Sequence, residues 1–208
     1  MMTAVADTAR DLVHVARSYG LCARLLTREG GRRPRSVVRL LLREVSALGW
    51  EKARKAAEDF SRALPSRAYR YASWLATNAV PAYEASYGIG ARASGGLMAT
   101  MADVAGYYRA FGFQVQDERP DYLGAQVEFL ALLSLKEAHA LLEGRPEEAV
   151  ASRQTRAQFA HQHLLPWLPS FRERAQTAGL SCFAALADLV QALVEADLSA
   201  PAPAPPGR

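Results

Sequence analysis

Two short segments of the sequence combine carboxylates with aromatic rings, and this combination suits the recognition of arginine. A guanidinium group pairs bidentately with a carboxylate and stacks on a ring, so the two segments would form an arginine receptor if they faced each other. A structural alternative is that Asp121 only caps the following helix, Glu84 is solvated, and Tyr83 and Tyr87 cover the core. Both interpretations stay open from the residues alone. The residues concerned are Pro81, Tyr83, Glu84, Ser86 and Tyr87 in the first segment, and Glu118, Pro120, Asp121 and Tyr122 in the second.

The motifs of common catalytic sites are missing from the sequence. It contains no GxGxxG, GxxxxGK[ST], HExxH or GxSxG pattern. His161 and His163 are two positions apart, so on a helix they point in nearly opposite directions and do not share a metal ion. Cys22 lies on an apolar helix stripe, far from Cys182, which predicts a buried and inert thiol. We therefore expect neither an enzyme nor a metal site.

Length and composition are typical of one globular domain. The chain has 208 residues, of which 50% are hydrophobic and 22% charged, enough to build a core without disulfides or metals. It has no run of about 18 apolar residues, and charged residues interrupt the first thirty positions, where a secretion signal would be apolar. The two isolated cysteines fit a reducing compartment. These features predict a cytoplasmic protein without stable membrane insertion.

Apolar residues recur at spacings of three and four through nearly all of the chain, which predicts an all-α fold. Gly30-Gly31 is predicted to stop the first helix, and glycines at 88, 90, 95 and 96 predict a loop over 79–96. We expect a single globular helical bundle of about 8–9 helices in residues 1–198 and a disordered Pro- and Ala-rich tail over 199–208. The predicted helices cover residues 7–29, 35–48, 50–64, 66–78, 97–112, 121–142, 146–165, 168–176 and 181–198.

Charge is distributed unevenly along the chain. Residues 1–43 hold nine arginines against three acids, whereas residues 113–150, which include Asp117, hold eight acids against three basic residues. The basic start is compatible with nucleic acid or anionic lipid, and the acidic middle with an arginine-bearing peptide. Solvated helix faces are the simpler explanation of either patch taken alone.

Four motifs, taken in order, resemble the TorD/DmsD family of cytoplasmic redox-enzyme maturation chaperones. The most specific is ERPDYL followed by a Glu-Phe pair, which contains Glu118, Pro120, Asp121, Tyr122 and Glu128. A second is the run HLxPWxxxF, which begins at His163 and contains Trp167. YEASYG (residues 83–88) and MADVAGYYRAFGF (residues 101–113) complete the set, so the resemblance covers roughly residues 80–175.

The resemblance implies a non-enzymatic chaperone with a TorD-like helical fold. Such a chaperone binds the apo catalytic subunit of a molybdenum enzyme of the dimethyl-sulfoxide-reductase type, and often its twin-arginine signal peptide. It assists insertion of the molybdopterin guanine dinucleotide cofactor, which the client carries, and delays export until the client is loaded. By motif, Asp121 and Tyr122 occupy the family's Asp-His pair, and residues 81–87 occupy its groove segment. Tyr122 replaces the commoner His, and the first segment lacks the family's Trp.

Combined with the charge pattern, the resemblance gives a binding hypothesis. Glu118, Asp121 and Glu128, with Glu84 nearby, attract paired arginines, while apolar groove residues receive the rest of the signal. His163 is expected to hydrogen-bond a loop, or to contact the client, and Trp167 to close the core. The alternatives are a nitrate-reductase-type assembly factor without signal-peptide proofreading and a helical nucleic-acid-binding regulator. The sequence leaves open whether the protein is a monomer or a domain-swapped dimer.

Overall fold

The computed structural model describes residues 2–88, 96–116 and 118–200, and of Met2 only the backbone. The predicted all-α fold is confirmed: the only strand-like feature in these residues is an isolated bridge between Tyr83 and Tyr122. The helices are α1 (Met2–Leu25), α2 (Arg28–Arg32), α3 (Pro34–Ala47), α4 (Glu51–Ala63), α5 (Ala68–Ala76), α6 (Gly96–Ala110), α7 (Leu123–Leu142), α8 (Pro146–Phe159), α9 (Leu168–Thr177) and α10 (Ser181–Ser199). A 3₁₀ turn spans Glu84–Ser86, and a π-helical turn spans Ala160–Leu164.

Helix α7 forms the centre of the bundle. Its buried residues occupy nearly all sides of the helix, as expected for a helix surrounded by protein. It packs mainly against α1 and α8, while α10 packs against α4 and α9. Trp167 is fully buried and contacts the ring of Phe171 at a centroid distance of 5.8 Å. The prediction that Trp167 closes the core among the last helices is therefore confirmed.

The prediction that Gly30-Gly31 stops the first helix is wrong. Helix α1 ends earlier, at Leu25, and both glycines lie buried inside the short helix α2. Thr27 is the N-cap of α2: its hydroxyl oxygen accepts a hydrogen bond from the amide of Gly30 at 3.1 Å. A Cβ atom on Gly30 would lie 1.8 Å from the carbonyl oxygen of Arg24. Glycine is required here because two backbone segments approach closely.

Three sequence-based expectations fall partly outside the described residues. Gly90 and Gly95 of the predicted first loop, Asp117 of the predicted acidic segment, and residues 201–208 of the predicted tail are not described. Helix α10 extends through Ser199, one residue beyond the predicted end. In the part of the chain that the structure describes, no helix has the length and hydrophobicity needed to cross a membrane.

Candidate peptide-binding site

The two predicted segments face each other, as the arginine-receptor hypothesis requires. The amide of Glu84 donates a hydrogen bond to the carbonyl oxygen of Asp121 at 3.0 Å, and the amide of Leu123 donates to that of Ala82 at 2.8 Å. These bonds flank the bridge between Tyr83 and Tyr122, whose rings lie 5.3 Å apart. We call residues 81–87 and 118–122 together the two-loop site.

Asp121 stabilises the two-loop site from within and does not cap α7. Helix α7 begins at Leu123, and its N-cap residue, Tyr122, makes no side-chain capping bond. Asp121 is 0% exposed, and its Oδ2 accepts a hydrogen bond from the amide of Ala85 at 3.1 Å. The structural alternative for Asp121 is therefore wrong, because the carboxylate anchors the 3₁₀ turn of the opposite loop.

The carboxylate of Asp121 is already paired with the guanidinium of Arg119. Its Nε donates to Oδ1 at 2.9 Å and its Nη2 to Oδ2 at 2.6 Å, which makes a bidentate pair. The same guanidinium lies 4.4 Å from the centre of the Tyr83 ring. Sequence reasoning counted Arg119 only as an opposing charge, although its place two residues before Asp121 in the ERPDYL motif was a usable signal.

Glu118 forms the exposed rim of the site. Its Oε1 accepts a hydrogen bond from the hydroxyl of Tyr83 at 3.1 Å and another from the amide of Arg119 at 2.9 Å. Partial burial, together with the negative charge of Glu118, raises the pKa of the Tyr83 hydroxyl above its usual value. The Tyr83 hydroxyl is protonated at neutral pH, as in an ordinary tyrosine, and its hydrogen bond holds the Glu118 carboxylate beside the ring.

Glu84 points inward, so the expectation that it is solvated is wrong. The residue is only 2% exposed, and its carboxylate accepts a hydrogen bond from Nε2 of Gln126 at 2.7 Å. Nδ1 of His163 lies 3.2 Å from Oε1 of Glu84, and Nε2 of the same ring lies 3.4 Å from Oδ2 of Asp103. Burial raises the pKa of Glu84 despite these partners. The prediction that His163 hydrogen-bonds a loop is confirmed.

Tyr87 and Tyr122 fix the edges of the site to the core. Tyr87 stacks on Trp167 at 5.4 Å and donates its hydroxyl to the carbonyl oxygen of Pro81 at 2.6 Å, and burial raises its pKa to about 12. For Tyr87, the core-covering interpretation is confirmed. Tyr122 donates its hydroxyl to the carbonyl oxygen of Leu26 at 2.6 Å. A Cβ atom on Gly124 would lie 2.7 Å from the Tyr122 ring, so glycine allows that ring to fold back over the start of α7.

The remaining candidate residues have different environments. Ser86 is exposed at the end of the 3₁₀ turn. The carbonyl oxygen of Pro120 accepts a hydrogen bond from the hydroxyl of Tyr108 at 2.9 Å. Glu128 is exposed on α7, and no hydrogen bond in the described residues joins it to the two-loop site. Of the four acids predicted to attract arginine, Glu118 and Glu128 are exposed, whereas Glu84 and Asp121 have partners inside the chain.

A cavity of about 530 Å³ opens beside the two-loop site. Tyr83, Glu118 and Tyr122 contribute polar groups to its wall, and Arg28 contributes a positive charge. The rest of the lining is largely apolar and comes from the residue after α1, from α5 and the segment that follows it, and from α10. It includes Leu26, Ala72, Trp74, Leu75, Ala76, Val80, Ala82 and Phe183. Sequence reasoning missed these residues, because helices distant in sequence bring them together.

The side chains around the two-loop site indicate which kind of ligand it could bind. No group of three or more His, Cys, Asp or Glu side chains in residues 2–88, 96–116 and 118–200 is arranged to hold a metal ion. What the site offers is an acidic rim, an aromatic ring already contacted by a guanidinium, and an adjoining cavity with apolar walls. An extended peptide that carries arginine next to apolar residues matches these features.

Comparison with known protein families identifies the family of this chain. Residues 40–173 match the family model described as "Nitrate reductase delta subunit", and this range contains the whole two-loop site and His163. The match covers more than half of the chain, so the chain belongs to this family. The sequence-based identification of a redox-enzyme maturation chaperone family is thereby confirmed.

The curated relatives are named as assembly chaperones. The chain is 36% identical over 96 residues to the selenate reductase assembly chaperone protein of Thauera selenatis, a match that covers 45% of the chain and 48% of the relative. It is 41% identical over 73 residues to the chlorate reductase assembly chaperone protein of Ideonella dechloratans (34% and 37%). It is 33% identical over 100 residues to the perchlorate reductase assembly chaperone protein of Dechloromonas aromatica strain RCB (46% and 44%).

The matched region is limited in extent. Each alignment spans less than half of the relative's length, and no solved structure matches the chain significantly. The relatives' names describe chaperones and not catalysts, in agreement with the expectation of a non-enzymatic protein.

Proposed function

We propose that this protein is the dedicated assembly chaperone of a reductase whose catalytic subunit is a molybdenum enzyme of the dimethyl-sulfoxide-reductase type. Membership of the maturation-chaperone family and the names of three relatives support this role. The chaperone binds the apo subunit in the cytoplasm, keeps it open for insertion of molybdopterin guanine dinucleotide, and releases it once loaded. The client carries the cofactor, and the chaperone itself needs none.

We further propose that the two-loop site and its cavity bind the client's twin-arginine signal peptide. The observation that carries this proposal is the cavity of about 530 Å³, whose apolar walls adjoin the exposed carboxylate of Glu118 and the ring of Tyr83. Apolar residues of the signal would enter the cavity and remove their surface from water. The arginines would remain at the rim, where carboxylate and ring are already arranged for a guanidinium.

Affinity capture from the native host, followed by mass spectrometry, tests the client assignment. The expected result is the precursor of a molybdenum reductase. The signal peptide of the captured enzyme is then titrated by calorimetry in three forms: with its two arginines intact, changed to lysine, or changed to alanine. Loss of affinity in the alanine form supports recognition of the signal. Failure to capture any molybdenum enzyme would contradict the chaperone role.

A cavity-blocking variant tests the position of the peptide. Ala76 is exposed on α5 and lines the cavity, so a phenylalanine there should obstruct entry while the core stays intact. Ala151 is exposed on α8, outside this cavity, and Ala151→Phe is the matched control. We expect Ala76→Phe to weaken peptide binding about tenfold or more, as the loss of a buried apolar side chain of the ligand would. Equal affinities of the two variants would place the peptide elsewhere.

A charge variant tests the rim. Glu118→Gln keeps the shape of the side chain and removes its charge, while Glu143→Gln on the exposed end of α7 serves as the control. Because Glu118 is exposed, the expected loss is only about two- to fivefold, the range of a solvent-screened ion pair. The loss should disappear at high salt.

A second candidate function differs in the segment of the client that is bound. The family description "Nitrate reductase delta subunit" favours an assembly factor that binds the mature part of its client without proofreading export. Capture of a molybdenum reductase whose signal peptide shows no affinity would select this alternative. The nucleic-acid-binding interpretation is not retained, because the family shown is one of maturation chaperones.

A further inference from the structure

We infer that Arg119 is an internal stand-in for a client arginine: it occupies the receptor formed by Asp121 and Tyr83, and it must leave when a client arginine enters. The inference rests on the proposed function, because it assumes an arginine-bearing client. Its basis is that one guanidinium already makes both contacts expected of such a ligand. The Arg119 guanidinium donates two hydrogen bonds to the Asp121 carboxylate, at 2.9 and 2.6 Å, and lies 4.4 Å from the Tyr83 ring centre.

The burial of the two partners indicates which of them can move. The Asp121 side chain is 0% exposed, whereas the Arg119 side chain is 38% exposed. Arg119 belongs to the irregular segment before α7, and the contacts described for its side chain are those to Asp121 and Tyr83. Its guanidinium can therefore swing into water without moving a helix. Asp121, by contrast, is held by the amide of Ala85 in the opposite loop.

The need to pair Asp121 makes the departure of Arg119 conditional on a replacement. A buried carboxylate without a cation is strongly destabilising, so Arg119 closes the receptor when no client is present. A client arginine restores the same bidentate bonds and stacking, and the exchange then leaves no buried charge unpaired. The net affinity for the client peptide comes from its additional contacts in the cavity. The exchange of Arg119 for a client arginine determines which peptides can bind.

The exchange favours guanidinium over ammonium. A lysine ammonium has no planar fork with which to match both carboxylate oxygens, and it stacks less well on a ring. A client lysine that displaced the Arg119 side chain would therefore lose part of the hydrogen bonding and ring stacking that Arg119 provides. Arg119 is on this basis a specificity-determining residue, since any ligand must pair with the Asp121 carboxylate at least as well as the guanidinium that it displaces.

Chemical rescue tests the inference without a known client. Arg119→Ala removes the internal guanidinium, and ethylguanidinium is the probe, with ethylammonium at equal concentration as the charge-matched control. We expect ethylguanidinium to raise the melting temperature of Arg119→Ala, because a ligand that binds only the folded state stabilises it. Wild type, Arg119→Ala/Asp121→Asn and the exposed α6 variant Arg109→Ala should show no such difference between the two probes. Equal responses of Arg119→Ala and wild type would overturn the inference.

Binding of N-acetyl-Arg-Arg-amide supplies the second test. Arg119→Ala should bind this dipeptide about tenfold more tightly than wild type, the lower end of the contribution of a charge-assisted hydrogen bond. Arg119→Lys, which keeps the positive charge and is the second variant if Arg119→Ala does not fold, should lie between them. Unchanged or weaker binding in both variants would refute the stand-in role.

The two proposals fail in different ways. If the captured client's signal peptide binds wild type in an arginine-dependent manner but Arg119→Ala changes neither its affinity nor the response to ethylguanidinium, the stand-in role is wrong and the proposed function remains. If ethylguanidinium rescues Arg119→Ala but no molybdenum reductase is captured, the receptor exists and the client assignment is wrong.

Discussion

The substitution Arg156→Met should be among the most destabilising single changes in the fold, because it removes a buried cation. Arg156 is 4% exposed, and its guanidinium donates to Asp197 of α10 at 2.8 and 3.1 Å and to Glu137 of α7 at 2.6 Å. Tyr19 of α1 donates its hydroxyl to the same Asp197 at 2.9 Å. One buried cation thereby connects α8 to two other helices, and Asp197 extends the network to α1.

The size of the destabilisation depends on the carboxylates that lose Arg156 as their partner. Removing one member of a buried ion pair costs about 3 to 5 kcal/mol, because the remaining charge is stranded in the interior. Two carboxylates are affected here, but each keeps one partner: Arg153 stays 2.7 Å from Glu137, and Tyr19 still bonds Asp197. We therefore expect a loss of about 3 kcal/mol, a large share of the roughly 5 to 15 kcal/mol by which proteins are stable.

Urea unfolding followed by circular dichroism at 222 nm measures this loss. The matched control is the triple variant Glu137→Gln/Arg156→Met/Asp197→Asn, which removes the stranded charges together with the cation. Because neutral replacements of a complete buried network are often tolerated, the triple variant should recover most of the stability. The reasoning would be refuted if Arg156→Met stayed within about 1 kcal/mol of wild type, or if the triple variant were no more stable than the single one.

Three further predictions concern single sites. Gly30→Ala should destabilise the protein by about 2 kcal/mol or more, because its Cβ would meet backbone, whereas Gly20→Ala in the open part of α1 should be neutral or stabilising by up to about 1 kcal/mol; equal midpoints in urea would contradict the close-approach argument. Burial raises the pKa of Cys22 to about 12 and of Cys182 to about 11, so neither thiol should react with Ellman's reagent at pH 8 until urea unfolds the chain, and rapid labelling of the folded protein would be the contrary result. The raised pKa of Glu84 means that the folded state binds this proton more tightly than the unfolded state does. The stability of wild type relative to Glu84→Gln should therefore fall as pH rises above the usual glutamate range, and a pH-independent difference would show that Glu84 has no net shift.

Much of the secondary structure was predictable because helix periodicity is a local property of the sequence. The α3 and α10 boundaries agree with prediction within one or two residues, since apolar spacing and nearby breakers define them. Prediction failed at Gly30-Gly31, where two glycines read as a helix stop. Gly30 allows the close approach of α2 to the Arg24 backbone, and Gly31 allows its close approach to Leu75 of α5. Neither approach can be recognised from residue spacing, because both depend on how α2 packs in three dimensions.

The two-loop site was predictable in composition but not in orientation. The sequence singled out Tyr83, Glu118 and Asp121 as candidate residues but left open whether their segments face each other, and the structure shows that they do. It did not reveal that Glu84 turns inward to His163 or that Arg119 already holds Asp121. The sequence does not distinguish a buried acidic residue from an exposed one. Burial depends on which helices from other parts of the chain pack against the residue.

By itself the sequence determined the all-α class, the positions of most helices, the family and the two segments that hold the candidate residues, because periodicity, breakers and motif order are local properties of the chain. Tertiary structure alone decided which carboxylates remain available and where the cavity lies. The cavity lining joins Leu26 after α1, Leu75 of α5 and Phe183 of α10, and the availability of a carboxylate depends on burial and on its nearest cation. Both are properties of packing in three dimensions, so neither has a counterpart in residue spacing.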